Sequence, residues 1–215
     1  MRQGVNQAVA ERVVRRTQAQ RSAATRARLL DATVECVSEL GYARTTTPEI
    51  ARRAGLSRGA QLHHFPTKAE LVTSAIEHLV ERRNREFREA FARVPPGVDR
   101  YAAAIDILWS MLCGPTADAW RELALAARTD PELRPRVAEL TTYMREVVEG
   151  TFRELFAESA ADNPFFVVAP SFVLALLDGL AVSRIASGDD FNATQVIDAL
   201  KALARLVMPS APGTP

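Results

Sequence analysis

Arg58, Gly59, Ala60, Gln61 and His63 gather, within six residues, side chains suited to reading the edges of base pairs. Arginine can pair with guanine and glutamine with adenine through two hydrogen bonds, each pair discriminating by ~1–3 kcal/mol. Arg58 and Gln61 are therefore the candidates for base readout, with a solvated surface or a phosphate contact as the competing assignment. His63 either faces a duplex or packs against the preceding helix. Around them, Thr46, Thr47, Ser57, His64 and Lys68 supply hydroxyls, an imidazole and an ammonium that suit phosphate oxygens. The threonines and Ser57 equally suit helix caps, and a cap can also touch a phosphate.

These residues act together only if a short helix holds them. Residues 47–65 read TPEIARRAGLSRGAQLHHF. Thr46-Thr47-Pro48-Glu49 predicts a helix start: Glu49 stands three residues after Thr46, as in a capping box, and proline is tolerated in a first turn. Ile50, Ala51 and Ala54 form an inward face, and the small alanines allow close packing. Gly55 permits a turn, Leu56 plugs the space beside it, and Ser57 caps a short helix over Arg58–His63. Pro66 stops that helix. Thr67-Lys68-Ala69-Glu70 is a second capping box, opening a long helix to about Arg93. Two helices and a glycine turn in about twenty residues make a helix-turn-helix, whose second helix can enter the ~12 Å major groove. Arg44, Arg52 and Arg53 flank the motif without an assigned role.

The rest of the chain reads as helix. Leu29, Thr33, Cys36, Val37 and Leu40 recur at helical spacing from Ser22 to Leu40, and Gly41 supplies a stop. Pro95-Pro96-Gly97, Gly114-Pro115, Asp162-Asn163-Pro164 and Gly188-Asp189-Asp190 punctuate helical stretches over about 98–112, 116–128, 130–160, 166–187 and 194–208. Pro135 should kink or restart the third of these. No strand pattern and no repeat emerges, so the expected fold is all-α. Residues 1–21 form a basic arm carrying Arg2, Arg12, Arg15, Arg16 and Arg21, either disordered or following phosphates. The head is expected over 22–70, a helical body over 71–208 and a disordered tail over 209–215.

Charge separates along the chain. Residues 1–70 carry 12 Lys and Arg against 6 Asp and Glu; residues 71–215 carry 15 against 20. A basic first third suits a polyanion. No apolar run approaching the ~20 residues of a membrane span is read, and no secretory signal, so a cytoplasmic protein is expected. Cys36 and Cys113 are expected as buried thiols in a reducing compartment. No glycine-rich phosphate loop, nucleophile elbow or metal spacing is present, and no cofactor is expected. His78 stands alone on a helix, and Asp189-Asp190 reads as a turn, which argues against catalysis.

The head resembles the TetR family of transcriptional regulators. Leu40-Gly41-Tyr42, Thr46-Thr47, Ile50-Ala51, Ala54-Gly55-Leu56-Ser57, Gly59, His64-Phe65, Lys68 and Leu71 carry the likeness over about residues 25–80. The family usually has tyrosine, commonly a phosphate ligand, where Leu62 stands here; Leu62 is expected to pack inward, leaving the polar role to Gln61 or His63. The resemblance implies a three-helix DNA-binding head joined to a helical domain that binds an effector and dimerises. Its implied partners are double-stranded operator DNA, a second copy through helices at about 166–208, and a small hydrophobic effector. Phe172, Val173, Leu176, Leu177, Leu180 and Ile185, followed by Val196, Ile197, Leu200, Leu203 and Leu206, cover more than one helix face, which a second copy could hide. For the effector, the expected lining is Trp109, Leu112, Trp120, Leu123, Arg128, Tyr143, Met144, Val147, Phe172 and Leu176. Core packing alone explains most of these apolar residues. A regulator without an inducer, or an activator, is the alternative. A filled interior over 98–180 would favour the first of these, and a sizeable cavity would favour an inducer.

Overall fold

The computed structural model describes residues 18–157, 163–187 and 192–208. Most of the basic arm, the C-terminal tail and the Asp189-Asp190 turn lie outside the described residues. Within them run α1 (Gln18–Arg44), α2 (Thr47–Arg53), α3 (Arg58–His64), α4 (Lys68–Ala92), α5 (Arg100–Leu112), α6 (Pro115–Ala127), α7 (Leu133–Leu155), α8 (Phe165–Ser187) and α9 (Ala193–Val207).

Local chemistry sets the ends. Thr46, Ser57, Thr67 and Asp99 each accept a backbone N–H three residues on, capping α2, α3, α4 and α5. Gly41 interrupts α1 with φ 75° and ψ 162°, backbone that only glycine adopts readily, and the helical hydrogen bonding resumes to Arg44. α7 begins at Leu133, later than the sequence suggests, because Asp130 Oδ1 accepts the backbone N–H of both Glu132 and Leu133 at 3.0 Å. Pro135 thus falls in the first turn, where its missing N–H costs no helical bond and no kink is needed. Asn163 Oδ1 accepts from Phe165 N at the start of α8, and Asn163 Nδ2 donates to Val207 O at the end of α9.

Among the described residues the core has three parts. In the largest, Leu29, Leu30 and Val37 of α1, Ile50 of α2 and Leu71 and Ile76 of α4 pack with Leu123 of α6 and Leu133 and Leu140 of α7. The head is therefore fused to the body through α1 lying along α6. Fully burying one such leucine stabilises by about 1.5–3 kcal/mol. A second, aromatic part holds Phe87, Phe91, Tyr101, Phe156 and Phe166. The third joins α5, α8 and α9 through Ile105, Leu177, Leu180, Ile197 and Leu200.

α8 corrects the expectation that no run is span-like. By length and composition it is, among the described residues, the one helix that could cross a bilayer. Its one acidic residue, Asp178, pairs with Arg121 of α6, and Phe166, Pro170, Leu177, Leu180 and Ala181 are buried against neighbouring helices. The opposite side leaves Val167, Phe172, Val182 and Ile185 exposed. The two thiols also divide: Cys36 is buried, whereas Cys113 at the end of α5 is only half-buried.

Candidate DNA interface and ligand cavity

The turn between α2 and α3 is held from outside. Gly55 has φ 62°, and Arg28 of α1 reaches over it to donate to Ala54 O and Gly55 O. A Cβ at Gly55 would sit 2.8 Å from Arg28 Nη2, the movable end of a flexible side chain, so it is the positive φ rather than the space that calls for glycine. Ile50, Ala51 and Ala54 are buried, as their pattern predicts.

α3 then turns Arg58, Gly59, Leu62 and His63 outward. Arg58 makes no hydrogen bond or ion pair with a described residue, which leaves its guanidinium available. Thr46 and Ser57 are exposed at their caps, Thr47 and His64 are half-exposed, and Ala60 lies at the edge of the face. Two expectations are overturned. Gln61 is fully buried, and its Nε2 donates to Phe65 O at 2.6 Å, so it cannot reach an adenine. Leu62 is 45% exposed, not packed inward. The two residues have exchanged roles because the amide satisfies the carbonyl at the end of α3 from within.

Lys68 also departs from the outward face. It is half-buried, its Nζ donates to Tyr42 O, and it lies 4.0 Å from the centre of the Tyr42 ring. Burial pushes its ammonium pKa down. Lys68 thus clasps the start of α4 to the exit of α1. Arg52 and Arg53 are occupied too: both bond Glu49, and Arg53 reaches Glu39 at 2.6 Å. The hydrogen bonds from Arg52 and then Arg53 hold the Glu49 carboxyl at about 2. His78 is half-buried, 3.8 Å from Asp31 Oδ1. Among the described residues no group of three or more His, Cys, Asp or Glu is placed to hold a metal ion.

A cavity of about 820 Å³ lies between α4, α5, α6, α7, α8 and α9, partly open to the surface. Its size is in the range that holds drug-sized molecules. Leu112, Trp120, Met144, Val147 and Phe172 line it as expected. The other expected residues do not. Leu123 is fully buried on the α1-facing side of α6, and Trp109 and Leu176 pack into the α5–α8–α9 core. Arg128 caps α6 in solvent, and the Tyr143 hydroxyl turns to Glu81. α4 supplies wall that the sequence expectation left out: Ile76, Leu79, Val80 and Phe87 recur at helical spacing along it. That same period is visible in the sequence.

Most of the wall's polar groups have protein partners. Arg83 donates to Thr116, Thr151 donates to Asn84 at 2.8 Å, and Asp178 is paired with Arg121 at 2.8 Å. No unpaired charge among the described residues faces the interior, so the cavity suits a mainly apolar, uncharged guest.

The family described as bacterial regulatory proteins, tetR family, matches residues 29–75. The C-terminal region of BetI-type transcriptional repressors matches residues 113–208. An HTH-type transcriptional regulator of Mycobacterium bovis is 31% identical over 169 residues, 79% of this chain and 87% of that protein. Among solved structures, a transcriptional regulator from Rhodococcus is 25% identical with a TM-score of 0.65, covering 88% of this chain and 99% of its own. FadR from Bacillus subtilis, solved in complex with stearoyl-CoA, shares the fold at 18% identity with a TM-score of 0.61, covering 86% of this chain and 99% of its own. The outward recognition helix, the all-helical body and these matches agree: the chain belongs to the TetR family of bacterial transcriptional regulators.

Proposed function

We propose that this chain is a ligand-responsive repressor. It binds a pseudo-palindromic operator as a homodimer and is released by a small hydrophobic effector. The observation carrying this reading is α4. Leu71, Val72 and Ala75 at one end lie under the DNA-binding head, and Ile76, Leu79 and Phe87 line the cavity. A guest that changes the position of α4 changes the head with it. The sizeable cavity favours an inducer over a regulator without one, and FadR provides a precedent for a long acyl ligand in this fold.

In this reading the exposed apolar sides of α8 and α9, including Val167, Val182, Ile185 and Leu206, meet their equivalents in a second copy. Such a patch is costly in water and is of the kind that marks an interface. Two-fold symmetry then spaces two α3 helices by about 34–36 Å, one turn of DNA. Ser57 and Thr46 meet phosphates, and Arg58 meets a base.

Binding to a duplex enriched from a randomised library tests the coupling, with Nile red as a neutral apolar probe. The dye should weaken DNA binding by between about 5- and 150-fold, the usual range of allosteric coupling. Ala104→Trp fills part of the cavity and should abolish that response while keeping DNA affinity. Dye uptake with unchanged DNA affinity would refute release by an effector.

A further inference from the structure

We propose that Leu62 reads the C5 methyl group of a thymine in the major groove. This rests on the DNA-binding reading above and adds a specificity determinant to it. Among the described residues of α1 to α4, Leu62 is the one exposed large apolar side chain. It stands on the same outward face as Arg58, Gly59 and His63. An apolar group held in water gains free energy only when something apolar covers it. On the floor of the major groove that something is the thymine methyl, since every other distinguishing group there is a hydrogen-bond donor or acceptor.

The neighbours favour this contact. Gly59 lies one turn before Leu62, and a Cβ added there would meet nothing nearer than Ser57 Oγ at 3.9 Å. The missing side chain lets the backbone of α3 approach the groove closely, which a side chain as short as leucine needs. Arg58 sits four residues before Leu62, about 5–6 Å away along the helix. At a rise of about 3.4 Å per base pair, the bases the two residues meet stand one or two steps apart. Gln61, which would otherwise compete for an adenine at the same place, is held inside by Phe65.

The experiment uses the full chain, Leu62→Ala and Leu62→Met on duplexes enriched from a randomised library by the wild type. Each thymine of the enriched site is then replaced by uracil, which removes only the methyl group. The wild type should lose about fourfold in affinity per half-site at one symmetric thymine, the worth of one buried methyl. Leu62→Ala should lose less than about twofold on the same replacement, and Leu62→Met should keep the wild-type response. Thermal melting of both variants should match the wild type, because the side chain is exposed. If no thymine shows this response, or if Leu62→Ala suffers it equally, Leu62 does not read the methyl although DNA binding stands. Failure of the wild type to enrich any duplex would overturn the DNA-binding reading and this one together.

Discussion

Replacing Gln61 by leucine separates a base reader from a structural amide. Gln61 is fully buried, with Nε2 donating to Phe65 O at 2.6 Å and Oε1 without a partner among the described residues. Gln61→Leu removes that donor, and leaving a buried acceptor unpaired costs about 1–3 kcal/mol. It also removes the orphaned Oε1, which returns a similar amount. The two effects oppose each other, so stability should change by less than about 2 kcal/mol. For a chain of this size that is less than about 8 °C in Tm. The base preferences of the enriched duplex should change by less than about twofold. Had Gln61 paired with adenine, its loss would cost ~1–3 kcal/mol at one base pair, or roughly 5- to 150-fold. Calorimetry and competition binding against single-base variants measure both quantities. A collapse of discrimination at one position, with Tm unchanged, would refute the inward placement of Gln61.

Other consequences follow from the packing. Leu123→Ala opens a void between α6 and α1 and should destabilise by about 2–5 kcal/mol; dye uptake by the native fraction should persist, since Leu123 lies outside the cavity wall. Gly41→Ala forces a side chain into a backbone region that costs about 1–3 kcal/mol, and its Cβ would lie 2.9 Å from Glu122 Oε2. Adding Glu122→Ala should leave most of that loss in place, and full recovery in a melting experiment would show that crowding, not backbone, is responsible. Glu49 has its carboxyl lowered from 4.5 to about 2, so its contribution is complete above 4.5 and is lost as pH falls toward 2. Melting curves across that window should show a small acid-side loss that Glu49→Gln removes, and an unchanged slope would contradict the ion-pair network.

Helix ends were largely legible because caps are local. Thr46 with Glu49, Ser57, and Thr67 with Glu70 announce themselves within four residues, and the structure uses each hydroxyl as a cap. What could not be read was the rotation of each helix about its own axis. On α6, Trp120 faces the cavity while Leu123 faces α1, and both belong to one apolar pattern. Which side meets α1 depends on long-range packing that no local spacing encodes. The exchange of Gln61 and Leu62 is of the same kind: a polar residue goes inside because a carbonyl four residues away accepts its hydrogen bond. The apolar character of α8 is legible residue by residue, but the pairing of its one acidic residue, Asp178, is not. Its partner Arg121 is 57 positions away.

Footprinting the full chain on its enriched duplex tests the central claim most directly. Two protected patches on one face of the DNA, about 34–36 Å apart and both lost in Arg58→Ala, are the predicted result. A single patch, or protection that survives Arg58→Ala unchanged, would contradict a paired recognition helix as the reading surface.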